Sequence, residues 1–301
     1  MATGVLVPVG GFAPYLAQAL DAVLAERPAE VVVVDDAADP PVALHPDHAP
    51  LVRLVRRARR GGPAEARATG LTILSPEVDA VALCDADDAW EPGSLALREA
   101  ALAADPGAGL VFGRAVVVGP DDRPTGERWA APPAGPLALA DLYAANPLPT
   151  SSVLLRRAAL DDAGGFHAPV RVAEDWDLWL RVARTGRRIV CVPDAVVRYR
   201  RHPGGLTADV AGLARAQLDV HRRHADAVGA TARDRALARD LRALARGLAR
   251  EGAHAQARAA LAQAAELAPA PLRERMLRGA LAVPGTRALV ARRDPYRGVS
   301  G

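Results

Sequence analysis

The chain has 301 residues, 50% of them hydrophobic and 24% charged; that apolar content excludes wholesale disorder, and the length suits one large domain or one domain with an appendage. The formal net charge of +3 conceals a split: residues 1–206 carry 21 Arg against 26 Asp and Glu (−5), and residues 207–301 carry 17 Arg against 9 acids (+8). All 38 basic residues are Arg and none is Lys, which excludes Schiff-base chemistry on a lysine and a Walker-type phosphate loop.

In chain order, Val5–Val9 reads as a buried strand closing on Gly10 and Gly11. Pro14–Glu26 has apolar residues at helical spacing, with Leu16, Leu20, Val23 and Leu24 on one face. Glu30–Val34 is a second buried strand ending at Asp35-Asp36, and Leu51–Val55 is a third. Pro63–Leu74 is helical and follows Gly61-Gly62. Val78–Cys84 is a fourth strand closing on Asp85-Ala86-Asp87-Asp88, before a helix over Pro92–Ala104 and a strand over Leu110–Val118. Gly119–Pro136, rich in Pro, Gly and charge, reads as a mobile loop. Then come a strand at Ser152–Leu155, a helix at Glu174–Thr185, and strands at Arg188–Val192 and Ala195–Arg200. Continuous apolar strands alternating with helices predict an α/β fold with a mostly parallel sheet flanked by helices. Ligands of such sheets bind beyond the carboxyl ends of the strands, where both acidic clusters fall.

Cys84 and Cys191 sit in apolar runs and read as buried thiols; two cysteines cannot close a zinc site. The N-terminus lacks the basic and apolar regions of a signal peptide, and no window approaches the ~18 apolar residues of a spanning helix. The expected location is therefore the cytoplasm, with contact at the inner face of the cell membrane left open.

Carboxylates crowded on one loop repel each other unless a cation sits among them, and hard divalent cations take such oxygen ligands. Asp85–Asp88 fits that reading, and equally a solvated turn capping the next helix. Glu174 and Asp175 open a helix, where acids gain from its dipole; Trp176 and Trp179 beside them fit a sugar site or core packing. Arg67, at the start of its helix, fits a diphosphate ligand or a solvated side chain.

These segments, in this order, resemble family 2 glycosyltransferases of the GT-A fold: VLVPVGGFAPYLAQALDAVLA, EVVVVDDA, ARATGL, ALCDADDAWEPGSL, NPLPTSSVLLRRAALDDAGGF, AEDWDLWLRVARTG and VPDAVVRYRRHPGG. The resemblance implies an inverting transfer of one sugar from a nucleoside-diphosphate sugar to an acceptor hydroxyl in cell-surface glycan or glycoconjugate synthesis. In it, Asp36 would bond the nucleotide base, and Pro8 and Val9 would line the base pocket. Arg67 would approach base or diphosphate. Asp85 and Ala86 would contact ribose or sugar. Asp87 would serve donor and metal, with Asp88 and His202 as further ligands of Mn²⁺ or Mg²⁺. Asp175 would be the general base, Glu174 its neighbour, and Trp176 and Trp179 walls for the sugars. Three departures from the family pattern lie in the nucleotide pocket: Gly10-Gly11 replace Tyr-Asn, Ala37-Ala38 replace Gly-Ser, and Ala68 replaces an Asn. The QxxRW pattern of processive members is absent, which favours single-sugar transfer.

A GT-A domain over residues 1–206 leaves an Ala/Arg-rich helical tail at 207–301. There Leu237, Leu241, Leu244 and Leu248 form an amphipathic stripe. Residues 240–269 resemble one tetratricopeptide-type helix pair turning at Gly252, close-packed at Ala257 and Ala260 and stopped by Pro269. The +8 charge suits solvation or an anionic membrane surface; no nucleic-acid motif is present. Two alternatives stand beside the transferase. One is a degenerate GT-A scaffold. The other is a sugar nucleotidyltransferase, which would want a basic Gly-rich loop and a Lys.

Overall fold

A computed structural model describes residues 1–11, 13–129, 135–166, 172–202 and 209–269. The chain divides into two compact units, Met1–His202 and Pro203–Gly301.

Among its described residues the first unit carries nine strands: β1 (Thr3–Val9), β2 (Glu30–Asp35), β3 (Arg53–Arg56), β4 (Ala80–Leu83), β5 (Ala89–Trp90), β6 (Ala108–Val118), β7 (Pro124–Arg128), β8 (Val153–Arg156) and β9 (Arg188–Arg200). Its helices are α1 (Leu16–Ala25), α2 (Pro63–Ile73), α3 (Ser94–Ala104), α4 (Leu139–Ala144), α5 (Arg157–Asp162) and α6 (Glu174–Arg184). All strands join one sheet in the order β3-β2-β1-β4-β8-β6-β9-β5, with β7 against β6. The four strands β3, β2, β1 and β4 are parallel, as expected. Beyond β4 the sheet is mixed: β8 runs antiparallel to β4 and β6, β9 parallel to β6, and β5 antiparallel to β9. The two strands expected over 188–200 are one continuous strand through Pro193, and part of the expected loop at 119–136 is the polar hairpin strand β7.

Buried apolar side chains explain the parallel half. Val5, Val7, Val31, Val33, Ala80 and Ala82 belong to one core cluster, onto which α1 lays Leu16, Leu20 and Val23. Proline has no N–H to give a ladder, so Pro8 in a central strand needs a reason. Pairing of β1 with β4 ends at Leu6↔Leu83, whereas pairing with β2 continues through Pro8↔Val34 to Val9↔Asp35. Pro8 lies beyond the last register pair with β4, at the carboxyl ends of the strands, where ligands of such sheets commonly bind. The sheet also needs Gly113: a Cβ there would stand 1.9 Å from the Ala195 carbonyl oxygen, beside the register shift between β6 and β9.

The second unit contains α7 (Val210–Arg223), α8 (Ala230–Arg250) and α9 (His254–Leu267). Leu218, Leu241, Leu248 and Leu261 pack with Ala257, Ala260 and Ala264, while Leu237 and Leu244 are partly buried against them. Gly252, at φ +80°, makes the left-handed turn between α8 and α9. His221 on α7 forms a buried pair with Asp240 on α8. Among the described residues no helix is long and apolar enough to cross a membrane.

Candidate active site

Beyond the ends of β1, β2 and β4, hydrogen bonds and ion pairs bring together charged residues that the sequence singles out. Helix α2 comes close to β1 because residue 70 is glycine: a Cβ there would meet Leu6 Cδ2 at 2.8 Å. One turn earlier on α2, Arg67 is buried and joins the acidic turn after β4 to the first turn of α6. Its Nη2 donates to Asp85 Oδ1 at 2.6 Å and its Nη1 to Glu174 Oε1 at 2.6 Å. Burial works against the Arg67 charge, but Asp85, Glu174 and Asp175 outweigh it and hold the guanidinium above its usual value.

Helix α6 presents Glu174 and Asp175 from its first turn, just after Ala173, whose φ of +60° is the left-handed region that Ala rarely adopts. Glu174 is buried. Burial pushes its carboxyl up to about 7, helped by the charges of Asp175 and Asp85 and opposed by Arg67. Asp175 keeps partial exposure. Its Oδ2 accepts from the Thr150 hydroxyl at 2.5 Å and its Oδ1 from the Trp176 N–H at 2.6 Å. Burial raises this carboxyl too, against the pull of Thr150, Arg67 and Trp176.

The acidic turn after β4 sorts its carboxylates. Asp85 faces Arg67, and its N–H donates to Ser151 Oγ at 3.0 Å. Asp87 is about one-third exposed, and its Oδ2 lies 2.9 Å from His202 Nε2. Burial and the Asp85 charge push Asp87 up, while His202 pulls it down. Asp88 instead points inward, 2% exposed, accepting from Ser151 Oγ at 2.5 Å and from the Arg200 N–H at 2.8 Å. Burial, with the charges of Asp87 and Asp85, pushes Asp88 well above the carboxylate range. Asp87 and His202 thus stand together as one carboxylate and one imidazole, a donor set suited to Mn²⁺ more than to Mg²⁺. Asp88 is committed to the fold and does not join them.

Other expected site residues lie as follows. Asp36 is buried, with both oxygens engaged: it pairs with Arg57 and accepts from the N–H groups of Gly61 (3.0 Å) and Gly62 (2.7 Å). Val9 is buried, while Pro8 and Ala86 are half-buried. Trp176 and Trp179 pack into the interior of the first unit. Both are at most 2% exposed, and the Trp176 indole N–H donates to the Leu142 carbonyl oxygen at 2.8 Å. Asp177 pairs with Arg181 along α6.

Three residues of the site, Thr150, Ser151 and Arg200, are not singled out in the sequence. Thr150 and Ser151 hold the candidate base and the acidic turn. Arg200 donates to the Asp87 carbonyl (2.9 Å), the Gly119 carbonyl (3.1 Å), Gln18 Oε1 (2.7 Å) and Asp122 Oδ1 (2.9 Å). Its guanidinium stacks 4.4 Å from the centre of the Tyr15 ring, which lies 5.5 Å from the His202 ring. Only the Thr-Ser-Ser run and the alternation of Arg198 and Arg200 along β9 could have pointed to them.

The model of the family described as glycosyl transferase family 2 matches residues 5–164. Among solved structures, the chain is similar to S. aureus TarS 1–349 in complex with UDP-GlcNAc, with a TM-score of 0.63, 18% identity and coverage of 97% of this chain and 88% of that one. It is similar to the mannosyltransferase PcManGT from Pyrobaculum calidifontis, in complex with GDP-Man and Mn²⁺, with a TM-score of 0.59, 23% identity and coverage of 96% and 83%. Against a longer S. aureus TarS chain the TM-score is 0.61 at 18% identity; the match covers 96% of this chain but 52% of that one, so this chain spans about half its length. No curated protein matches the chain. With the family match extending over more than half of its residues and these structures sharing its fold, the chain belongs to glycosyl transferase family 2 and has the GT-A fold.

Proposed function

We propose that the chain is an inverting glycosyltransferase that moves one sugar from a nucleoside-diphosphate sugar to an acceptor hydroxyl, with Asp175 as general base. The observation that carries this reading is the span of Arg67 between Asp85 and Glu174, which sets the carboxylates of α6 and the acidic turn on two sides of one buried cation. Asp175 takes the acceptor proton because it is more exposed than Glu174, which is tied to Arg67. The acceptor oxygen then bonds to the anomeric carbon as that carbon's bond to the diphosphate oxygen breaks. The electron pair leaves with the nucleoside diphosphate, and one displacement inverts the centre. Arg67 would meet the charge developing on the leaving group, where a positioned cation lowers the barrier. Asp87 and His202 would hold a divalent cation, whose chemistry is Lewis-acid neutralisation of the diphosphate.

The test is metal-dependent release of nucleoside diphosphate from a panel of nucleotide sugars. Asp175→Asn is expected to lower turnover by about 10²–10⁴-fold, the usual contribution of a general base. Unchanged turnover would remove Asp175 from the role.

One observation favours a second reading, a GT-A module that binds without catalysis: Asp36, the expected reader of the base, is already saturated by Arg57, Gly61 and Gly62. Titration calorimetry with UDP and GDP in the presence of Mn²⁺ separates the two readings, because binding of neither nucleotide supports the module. We place the acceptor in cell-surface glycan or glycoconjugate synthesis at the cytoplasmic face of the membrane. The +8 of residues 207–301 suits contact with anionic lipid. Cosedimentation of the full chain with phosphatidylserine vesicles, reversed by salt, is the expected outcome, and absence of binding at low salt would refute the contact.

A further inference from the structure

We infer that Thr150 is the positioning residue of the candidate base: its hydroxyl fixes the orientation of the Asp175 carboxylate and keeps it ionised. The inference rests on the reading of Asp175 as the base. Thr150 opens a short 3₁₀ turn, Thr150–Ser152, that leads into β8. Neighbours pin that turn from several sides. Ser151 and Ser152 are fully buried. The Trp90 indole N–H donates to the Ser151 carbonyl oxygen at 2.7 Å, the Ser151 hydroxyl bonds Asp88, and the Ser152 hydroxyl donates to the carbonyl oxygen of Pro149 at 2.7 Å. Thr150 therefore starts from a fixed backbone, and its β-branched side chain has few rotamers. The 2.5 Å bond to Asp175 Oδ2 is thus prepared before any ligand arrives, and preorganised donors of this kind need no rearrangement at the moment of reaction.

The bonding of Asp175 makes this contact decisive. Each carboxylate oxygen has two lone pairs. Thr150 occupies one on Oδ2 and the Trp176 N–H one on Oδ1, which leaves each oxygen one lone pair for an acceptor proton. Among the described residues, the charged groups around Asp175 are Arg67 from α2, Asp85 from the acidic turn and Glu174 on α6 itself. Burial and Asp85 disfavour its charge, while Thr150, Arg67 and the Trp176 N–H favour it. Arg67 also serves Asp85 and Glu174, so its removal disturbs three carboxylates. The Trp176 N–H belongs to the backbone. Thr150 is the side chain that acts on Asp175 with no second carboxylate partner among the described contacts.

The test uses the full-length protein with Thr150→Val, Thr150→Ala and Thr150→Ser. The first readout is carboxyl ¹³C NMR titration, with Asp175→Asn assigning the resonance, so it does not depend on activity. Loss of the hydroxyl is expected to raise the Asp175 midpoint by about one pH unit, the scale of a charge-assisted hydrogen bond, and Thr150→Ser is expected to restore it. The second readout is the pH dependence of nucleoside diphosphate release. Its acid limb should move up by the same interval, with turnover falling up to about tenfold below the limb's midpoint and little changed on its alkaline plateau. A wild-type midpoint in folded Thr150→Val or Thr150→Ala protein would overturn the inference, as would an equal loss of turnover at every pH. Should the wild type release no nucleoside diphosphate from any donor, the proposed reaction fails, and the NMR titration still decides what Thr150 does.

Discussion

Replacing Glu174 by Gln removes a buried negative charge and leaves the side chain's shape. Glu174 is 8% exposed, and burial lifts its carboxyl from the ordinary 4.5 to about 7 despite Arg67. A carboxyl raised on folding binds more protons in the folded state, so its contribution to stability is full below about pH 4.5 and is lost as pH rises through about 7. At about 1.4 kcal/mol for each pH unit of that window, the whole loss is about 3 kcal/mol. Gln has no proton to lose. Between pH 4.5 and pH 8 the stability of Glu174→Gln relative to wild type should therefore shift in the variant's favour by about 3 kcal/mol. That interval does not depend on the cost of losing the Arg67 contact, because Gln lacks the charge at both pH values. Urea unfolding followed by tryptophan fluorescence is the assay. All four Trp, at 90, 129, 176 and 179, fall in the first unit, so the signal is free of the helical unit. A stability difference that is the same at both pH values would refute the reasoning.

Gly113→Ala would force a methyl to 1.9 Å from the Ala195 carbonyl oxygen. Backbone cannot yield cheaply, so unfolding should show a loss of at least about 2 kcal/mol; an unchanged urea midpoint would contradict the β6–β9 register. Asp88→Ala should cost about 1–3 kcal/mol by stranding Ser151 and the Arg200 N–H. Asp87→Ala should cost little stability and weaken Mn²⁺ binding in calorimetry, and the reverse pattern would exchange their roles.

The parallel half of the sheet is legible because strands buried on both faces leave continuous runs such as Val31–Val34. The remainder is less so. A two-residue strand at Ala89–Trp90 and helices of six residues at Leu139–Ala144 and Arg157–Asp162 are too short to display a period. β7 is polar and exposed throughout, so no hydrophobic pattern marks it. At the site, the strand-end rule locates both acidic clusters, but a turn has no period, and nothing in Asp85–Asp88 says which carboxylate turns inward. For Trp176 and Trp179 the signal exists. With Leu180 they stand at i, i+3 and i+4, the spacing of a buried helix face, which outweighs the carboxylates beside them. Thr150 and Arg200 act through geometry that joins distant segments, and single-residue chemistry at sequence distances of 25 and 113 leaves no local trace.

Arg200 has a consequence for how such sequences drift. Its donors fan out to Gln18, Gly119, Asp122 and the Asp87 carbonyl while its plane lies on Tyr15, and Arg67 likewise forks between two carboxylates. A lysine ammonium is a point charge that neither forks nor stacks as a plane. The absence of Lys from this chain therefore asks nothing of these two positions. Sister sequences from AT-rich genomes, free to exchange Arg for Lys on their surfaces, should still hold Arg at 67 and 200, and that asymmetry would separate residues kept by geometry from residues kept by base composition.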